Sequence, residues 1–368
     1  MEIIKNRKYL YIAVVATILI LIPFVMLLID YSREFEEKST KIGFIILGDV
    51  NEPGWNKSHY EGIKAACEKY GIELLVRDKV RENSGQCTET IKELAENGAG
   101  MIFLASYSST VEAQNLVKEY PNIAFATNSA EVHAKNMTAY FVRVYQARYL
   151  SGILAGMKTK TNVVGYVAAM SNSEVNRQIN AFTLGVHRIN PQAKVLVMFT
   201  NAWQNEEVEA KNAEKLIENY NADVLTYHQD EATVCKVAEA NGVNFIAYNE
   251  VLHGYTNKYL ASIVCHWDLY YMDILQRYLK GEINYVKNHW IGIDRGAITI
   301  ENYSSEVNDD IRDKIEEIEL ELMNNKQIFS GEIYDNQGNK RCGANEAISD
   351  DLLLEDINWL VQGVEVVD

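Results

Sequence analysis

"KIGFIILGDVNEPGWNKSHYEGIKAACEKYGIELLVRD", Lys41 to Asp78, decides how the rest of the chain is read. It opens on a short apolar run, "KIGFIIL". A Pro-Gly break follows, then "SHYEGIKAACEKYG", amphipathic at helical spacing and closed by Gly71. "IELLVRD" is a second strand. The same grammar continues through the helix "GQCTETIKELAENGAG", the strand "MIFLAS", the helix "SSTVEAQNLVKEYP" and the strand "NIAFATN". Short apolar strands alternating with amphipathic helices predict parallel βαβ units with both sheet faces covered.

The pattern restarts near residue 147. "ARYLSGILAGMKT" reads as a helix, "NVVGYVAAM" as a strand and "SEVNRQINAFTLGVHRIN" as a helix. "AKVLVMFT", "ADVLTYH", "VNFIAYN" and "YLASIVC" are further strands, with helices "EEVEAKNAEKLIENY" and "EATVCKVAEANG" among them. Two similar halves imply an α/β protein with two Rossmann-like lobes around a central cleft. The last section is less regular. "YYMDILQRYLKGE" and "DDIRDKIEEIELELMNN" are helical, "GEIYDNQGNK" is a hairpin around Gln337-Gly338-Asn339, and "SDDLLLEDINWLVQGV" reads as a final helix with Trp359 packed in the core.

The 368 residues suit two core-forming domains, and 48 % hydrophobic content with few prolines indicates a folded chain. A net charge of −16 without a Lys/Arg cluster excludes a nucleic-acid surface. At the N-terminus Lys5, Arg7 and Lys8 precede an uncharged apolar run from Tyr9 to Ile29, followed by Asp30. About 20 apolar residues at 1.5 Å each span the roughly 30 Å hydrocarbon core. The charge asymmetry places residues 1–8 in the cytoplasm. No small-x-small cleavage site follows, and no cysteine that would carry a lipid. The expectation is an uncleaved transmembrane anchor over 9–29 and a linker over 30–40, with the bulk of the chain outside the cell membrane. Cys67, Cys87, Cys235, Cys265 and Cys342 show no metal-binding spacing and read as buried thiols, with a Cys67–Cys87 bridge left open.

In open α/β sheets, ligands bind beyond the carboxyl ends of the strands. There the chain collects aromatic and amide residues: Trp55 and Asn56, Asn128, Asn201 and Trp203, His228-Gln229-Asp230, Asn249, and His266-Trp267-Asp268. Flat aromatic faces with amides suit a planar, nitrogen-rich heterocycle, and amides can read its edge. The absence of a cationic cluster disfavours a phosphate. Nucleophile-elbow, P-loop, zincin and dinucleotide-binding motifs are all missing, so no cofactor or metal is expected.

The blocks "GWNKSHYEGI", "AYFVRVYQARYLSGILAGM", "VNRQINAFTLGVHRINP" and "ADVLTYHQD", with the closing "INWLVQGV", make the chain resemble the basic membrane protein family of solute-binding proteins. The resemblance runs from Lys41 to the end. It implies the type I periplasmic-binding-protein fold, delivery of a purine to an ABC permease and ATPase, and closure of two lobes about a hinge. Residues 41–142 with about 265–295 would form one lobe, and 143–264 with about 296–368 the other. The crossings would fall near 142–146, 264–266 and 292–298. Trp55 and Asn56 align with the family's stacking and base-reading pair. Where nucleoside-binding relatives carry an Asp and a Lys that grip ribose, this chain has Asn249 and either Cys265 or His266. That departure implies a free base such as adenine. Arg143, at the first crossing, would bind ligand or brace the hinge. A membrane-anchored sensor that needs a partner protein is the alternative to transport. An enzyme using His228, Asp230 or His266 as acid or base is the less favoured one, and a DNA-binding relative of the fold a weak third.

Overall fold

The computed structural model describes residues 40–52, 54–81, 84–128, 134–249, 254–255, 258–282 and 289–368. The expected anchor over 9–29, its tail and its linker to residue 39 lie outside them. Among the described residues no helix is long and apolar enough to cross a membrane.

The chain first lays down β1 (Lys41–Ile45), α1 (Trp55–Tyr70), β2 (Glu73–Arg77), α2 (Gln86–Glu96), β3 (Met101–Leu104), α3 (Tyr107–Ala113), β4 (Ala124–Thr127) and β5 (Met137–Val142). Helix α4 (Val144–Lys158) carries it into the second lobe. There it forms β6 (Val163–Ala168), α5 (Ser173–Ile189), β7 (Lys194–Phe199), α6 (Glu206–Glu218), β8 (Val224–His228), α7 (Thr233–Ala240), β9 (Asn244–Asn249) and β10 (Tyr259–Cys265). It returns to the first lobe as α8 (Trp267–Lys280), packed on α1, and β11 (His289–Ile291). It then crosses back as β12 (Ile298–Glu301) and α9 (Asp309–Met323). A ribbon of β13 (Ile333–Tyr334) and β14 (Lys340–Cys342), the short α10 (Asp350–Glu355) and β15 (Val364–Val366) complete the fold.

Among the described residues the strands form a six-stranded sheet, β11-β5-β4-β3-β1-β2, and a seven-stranded one, β12-β10-β9-β8-β6-β7-β15. Every pair is parallel except β10 with β12. Helices cover both faces, so a strand such as "MIFL" of β3 is buried at every position. Cys67 and Cys87 belong to separate apolar clusters and stay free, which closes the possibility of a bridge between them.

Helices α4 and α5 meet backbone to backbone. A Cβ on Gly152 would lie 2.0 Å from the Phe182 carbonyl oxygen, and one on Gly185 would lie 2.1 Å from that of Tyr149. The distinctive blocks "RYLSGILAG" and "INAFTLG" are therefore the two sides of one close helix crossing.

Three expectations need correction. The helix read over "SSTVEAQNLVKEYP" ends at Ala113, and a short 3-10 turn at Leu116–Glu119 follows. Strand β5 is not among the expected strands, and α4 starts at Val144, ahead of the helix expected from Ala147, because "MTAYFVRVYQ" runs from one into the other without a turn residue. The final helix stops at Glu355. Beyond it the chain runs extended along α5, whose amides take over its backbone bonding. Asn176 donates to the Ile357 carbonyl (3.0 Å), and Asn180 donates to that of Trp359 (3.0 Å) while accepting from the Val361 N–H (2.8 Å).

Candidate functional site

The carboxyl ends of the two sheets face each other across a cleft, and the lobes are closed on it. The Trp55 N–H donates to the Asp230 carbonyl across the cleft (3.3 Å). Gly54 makes this approach possible: its φ is +117°, and a Cβ there would stand 2.0 Å from that same oxygen. Between the lobes lies a slot of about 420 Å³ of free space counted out to its mouth. Leu47, Trp55, Ser106, Tyr107 and Asn128 line it from the first lobe. Glu174, Trp203, His228, Asp230 and Tyr248 line it from the second. Among the described residues no Lys or Arg is in these walls.

Trp55 is the first residue of α1, and its indole is held firmly. Nε1 donates to the Ala105 carbonyl (3.1 Å), and the ring packs on His59 at 4.2 Å between centroids. His59 in turn stacks on Trp267 (3.8 Å, 28°). His59 Nδ1 lies 2.6 Å from the Tyr271 hydroxyl, which is 3.0 Å from that of Tyr140. Burial holds the His59 pKa well below the ordinary histidine value, so the ring is neutral. Trp267 is thus a support for Trp55 behind the slot and not one of its walls.

From the second lobe, Trp203 meets His228 edge to face at 5.8 Å, and His228 meets Tyr248 at 5.1 Å. Tyr248 is backed by the buried Arg148, whose guanidinium lies 4.1 Å from the ring centroid and donates to the Tyr227 carbonyl (2.8 Å). Burial first, then the fields of Arg148 and Arg177, keep His228 neutral. Among the described residues, two buried polar atoms of the lining have no hydrogen-bond partner, Asn128 Nδ2 and His228 Nδ1. Groups of this kind cost about 1–3 kcal/mol each when left unpaired, so a ligand that pairs them gains by it.

Several expected ligand contacts lie elsewhere. Asn56 is buried and turned away from the slot, where its Oδ1 accepts the Gly48 N–H (3.2 Å) and ties down the turn after β1. Gln229 points behind the wall, and its Nε2 donates to Thr200 Oγ1 (2.9 Å) and the Ala202 carbonyl (3.1 Å). Asn201 forms the turn after β7 at φ +59°. Asn249 ends β9 at φ +77°, buried, with both amide atoms unpaired but outside the lining. His266 caps α8, with Nε2 3.1 Å from Thr299 Oγ1. Arg143 lies at the first passage between the lobes, outside the slot's lining. Its backbone N–H donates to the Ile291 carbonyl (2.8 Å), and its guanidinium pairs with Asp350 and covers the Trp290 ring at 4.1 Å. Glu174, Tyr248, Tyr107, Ser106 and Leu47 were not anticipated. Glu174 follows the end of β6, so the strand-end rule that selected the other candidates could have found it.

Two parallel-stranded lobes closed over a slot, with three chain passages between them, define a periplasmic-binding-protein-like solute-binding protein. The chain belongs to the Bmp family, ABC transporter substrate-binding proteins of PnrA-like type, whose family model matches residues 39–337. It is 28 % identical over 333 residues to a purine-binding protein of Brucella abortus, covering 89 % of this chain and 94 % of that one. Among solved structures, a transcriptional activator of the comK gene from Bacillus halodurans superposes with a TM-score of 0.67 at 22 % identity, over 77 % of this chain and 97 % of that one. An ABC transporter solute-binding protein from Aeropyrum pernix gives a TM-score of 0.65 at 15 % identity, over 77 % and 91 %. The family is one of solute-binding proteins and not of enzymes, which removes the acid–base reading of His228, Asp230 and His266.

Proposed function

We propose that the chain captures a free purine base, adenine in preference to its nucleoside, outside the cell membrane and presents it to an ABC importer. The observation that carries this is the slot itself. Trp55 and Trp203 enter it from opposite lobes, Asn128 Nδ2 and His228 Nδ1 offer unpaired hydrogen-bonding atoms, and among the described residues no cation lines it. A flat base fits such a slot, and a phosphate does not. Support for a base over a nucleoside comes from Asn249 and His266. They replace the ribose partners expected from the family resemblance, and neither lines the slot. The 28 % identical Brucella abortus relative is itself described as purine-binding.

The test is calorimetric titration of the full chain, freed of ligand by exhaustive dialysis, with adenine, hypoxanthine, guanine and their nucleosides. Adenine is expected to bind at least tenfold more tightly than adenosine. Tighter binding of nucleosides overturns the base reading, and no binding across the panel overturns the purine reading. The apolar run at Tyr9–Ile29, with no lipid-bearing cysteine after it, favours a second reading: an anchored purine sensor. Uptake of labelled adenine by cells with and without the gene separates the two, since only a transport subunit changes the uptake rate.

A further inference from the structure

Among the described residues two carboxyl groups line the slot, and they are not equivalent. Asp230 is engaged within the protein. Glu174, in the first turn of α5, makes no hydrogen bond or ion pair among the described residues. Its nearest countercharge, Arg177, is one turn along α5 and committed elsewhere. That guanidinium donates to the Leu353 carbonyl (2.5 Å) and lies over the Trp290 and Phe141 rings at 5.2 and 5.7 Å. Glu174 is only half-buried as a residue, because part of its surface opens onto the slot. A carboxyl taken out of water and given no partner is costly, unless the ligand is the partner.

Resting on the purine reading above, we propose that Glu174 sets ligand choice in the slot. As a carboxylate it accepts an N–H from the ligand edge, so the site selects bases that carry an amino group there and rejects analogues without one. The charged and titratable groups around it agree. Arg177 supports the ionised form from α5, His228 at the end of β8 is neutral, and burial raises Tyr248 of β9 well above the ordinary phenol value, so it is uncharged. Asp230 is the other acidic residue on the slot among the described residues, and it is engaged within the protein. Burial raises the Glu174 carboxyl to about 7 against the smaller pull of Arg177, so part of the empty protein carries it protonated at neutral pH. Accepting a ligand N–H favours the ionised form, and binding must then release a proton. Affinity should rise with pH up to about 7 and level off above.

The experiment is titration of the full chain at about pH 6.5 with adenine and with unsubstituted purine, which lacks the amino group. Each is run in two buffers of different ionisation enthalpy, so that protons are counted. Wild type is expected to prefer adenine about tenfold or more and to release a proton that disappears at about pH 8.5. Glu174→Leu should bring the adenine-to-purine ratio towards one, and Glu174→Gln should abolish the proton release. A wild-type ratio near one, or no proton release at about pH 6.5, overturns the proposal without any variant. Proton release that persists in Glu174→Gln assigns it to another group and also overturns it. In both cases the purine reading survives, because adenine still binds. Failure of wild type to bind either ligand removes the purine reading and this proposal together.

Discussion

Trp55 is held within its own lobe on two sides, Nε1 by the Ala105 carbonyl and the ring by His59. The stacking surface is therefore preorganised, and little rotamer entropy remains to be lost on binding. Base stacking on an aromatic is worth about 1–3 kcal/mol, so Trp55→Ala should weaken adenine binding by roughly 5- to 150-fold. Calorimetry checks this, with a thermal melt as control for folding. Two buried histidines make a separate prediction. His59 and His228 are held well below the ordinary histidine value. They take up protons readily only after unfolding, so their stabilising contribution is present above about pH 6.5 and is lost as pH falls below it. Each can contribute up to about 1.4 kcal/mol per pH unit. Glu174 acts with opposite sign: its raised pKa makes the folded state bind the extra proton below about 7. Glu174→Gln should therefore steepen the fall of the urea midpoint between about pH 7.5 and 5.5. An equal or shallower fall counts against the raised Glu174 carboxyl.

Among the elements, the α4–α5 crossing carries the most specific constraint. Its contact atoms are backbone, which cannot rotate away as a side chain can. Gly152→Ala would drive a methyl group into the Phe182 carbonyl, where 2.0 Å is available. The helices must separate, at a cost of about 1–3 kcal/mol by comparison with overpacked cores. Denaturant unfolding should show a lowered midpoint. Because α5 carries Glu174 at its start, adenine affinity should fall as well. This crossing was legible only as a recurring block of letters in "RYLSGILAG" and "INAFTLG". Small residues at helical spacing mark a close neighbour without naming it. The terminal segment was misread for a related reason. "SDDLLLEDINWL" has helical periodicity, but the α5 amides bind its backbone in an extended form, and tertiary hydrogen bonds override a local preference.

At the scale of the whole molecule, the proposed capture depends on closure of the lobes, and Gly54 sits where they meet. A Cβ there meets the Asp230 carbonyl at 2.0 Å, and φ +117° is unfavourable for any side chain. Gly54→Ala should hold the lobes apart while each stays folded. X-ray scattering with saturating adenine should show a radius of gyration that no longer contracts, and affinity should drop tenfold or more. A normal contraction would show that the lobes meet in some other way. Arg143 and Asp350, at the hinge, should matter less for affinity than for the rate of opening, since neither lines the slot.

The sequence by itself determined the alternation of strands and helices, its restart near residue 147, and hence two parallel-stranded lobes with a cleft at their carboxyl ends. Those follow from local periodicity, which each segment carries alone. It also singled out Trp55, Asn128, Trp203, His228 and Asp230, because strand ends deliver residues to that cleft whatever the details. Only the tertiary structure decided which neighbours of these face the slot. Successive helical residues differ by about 100° in direction, so Trp55 lines the slot while Asn56 backs the turn after β1. Trp267 and His266 fall behind the slot because α8 packs on α1 and caps against β12. Glu174 and Tyr248 enter it because the two lobes meet, and that contact joins residues far apart in the chain.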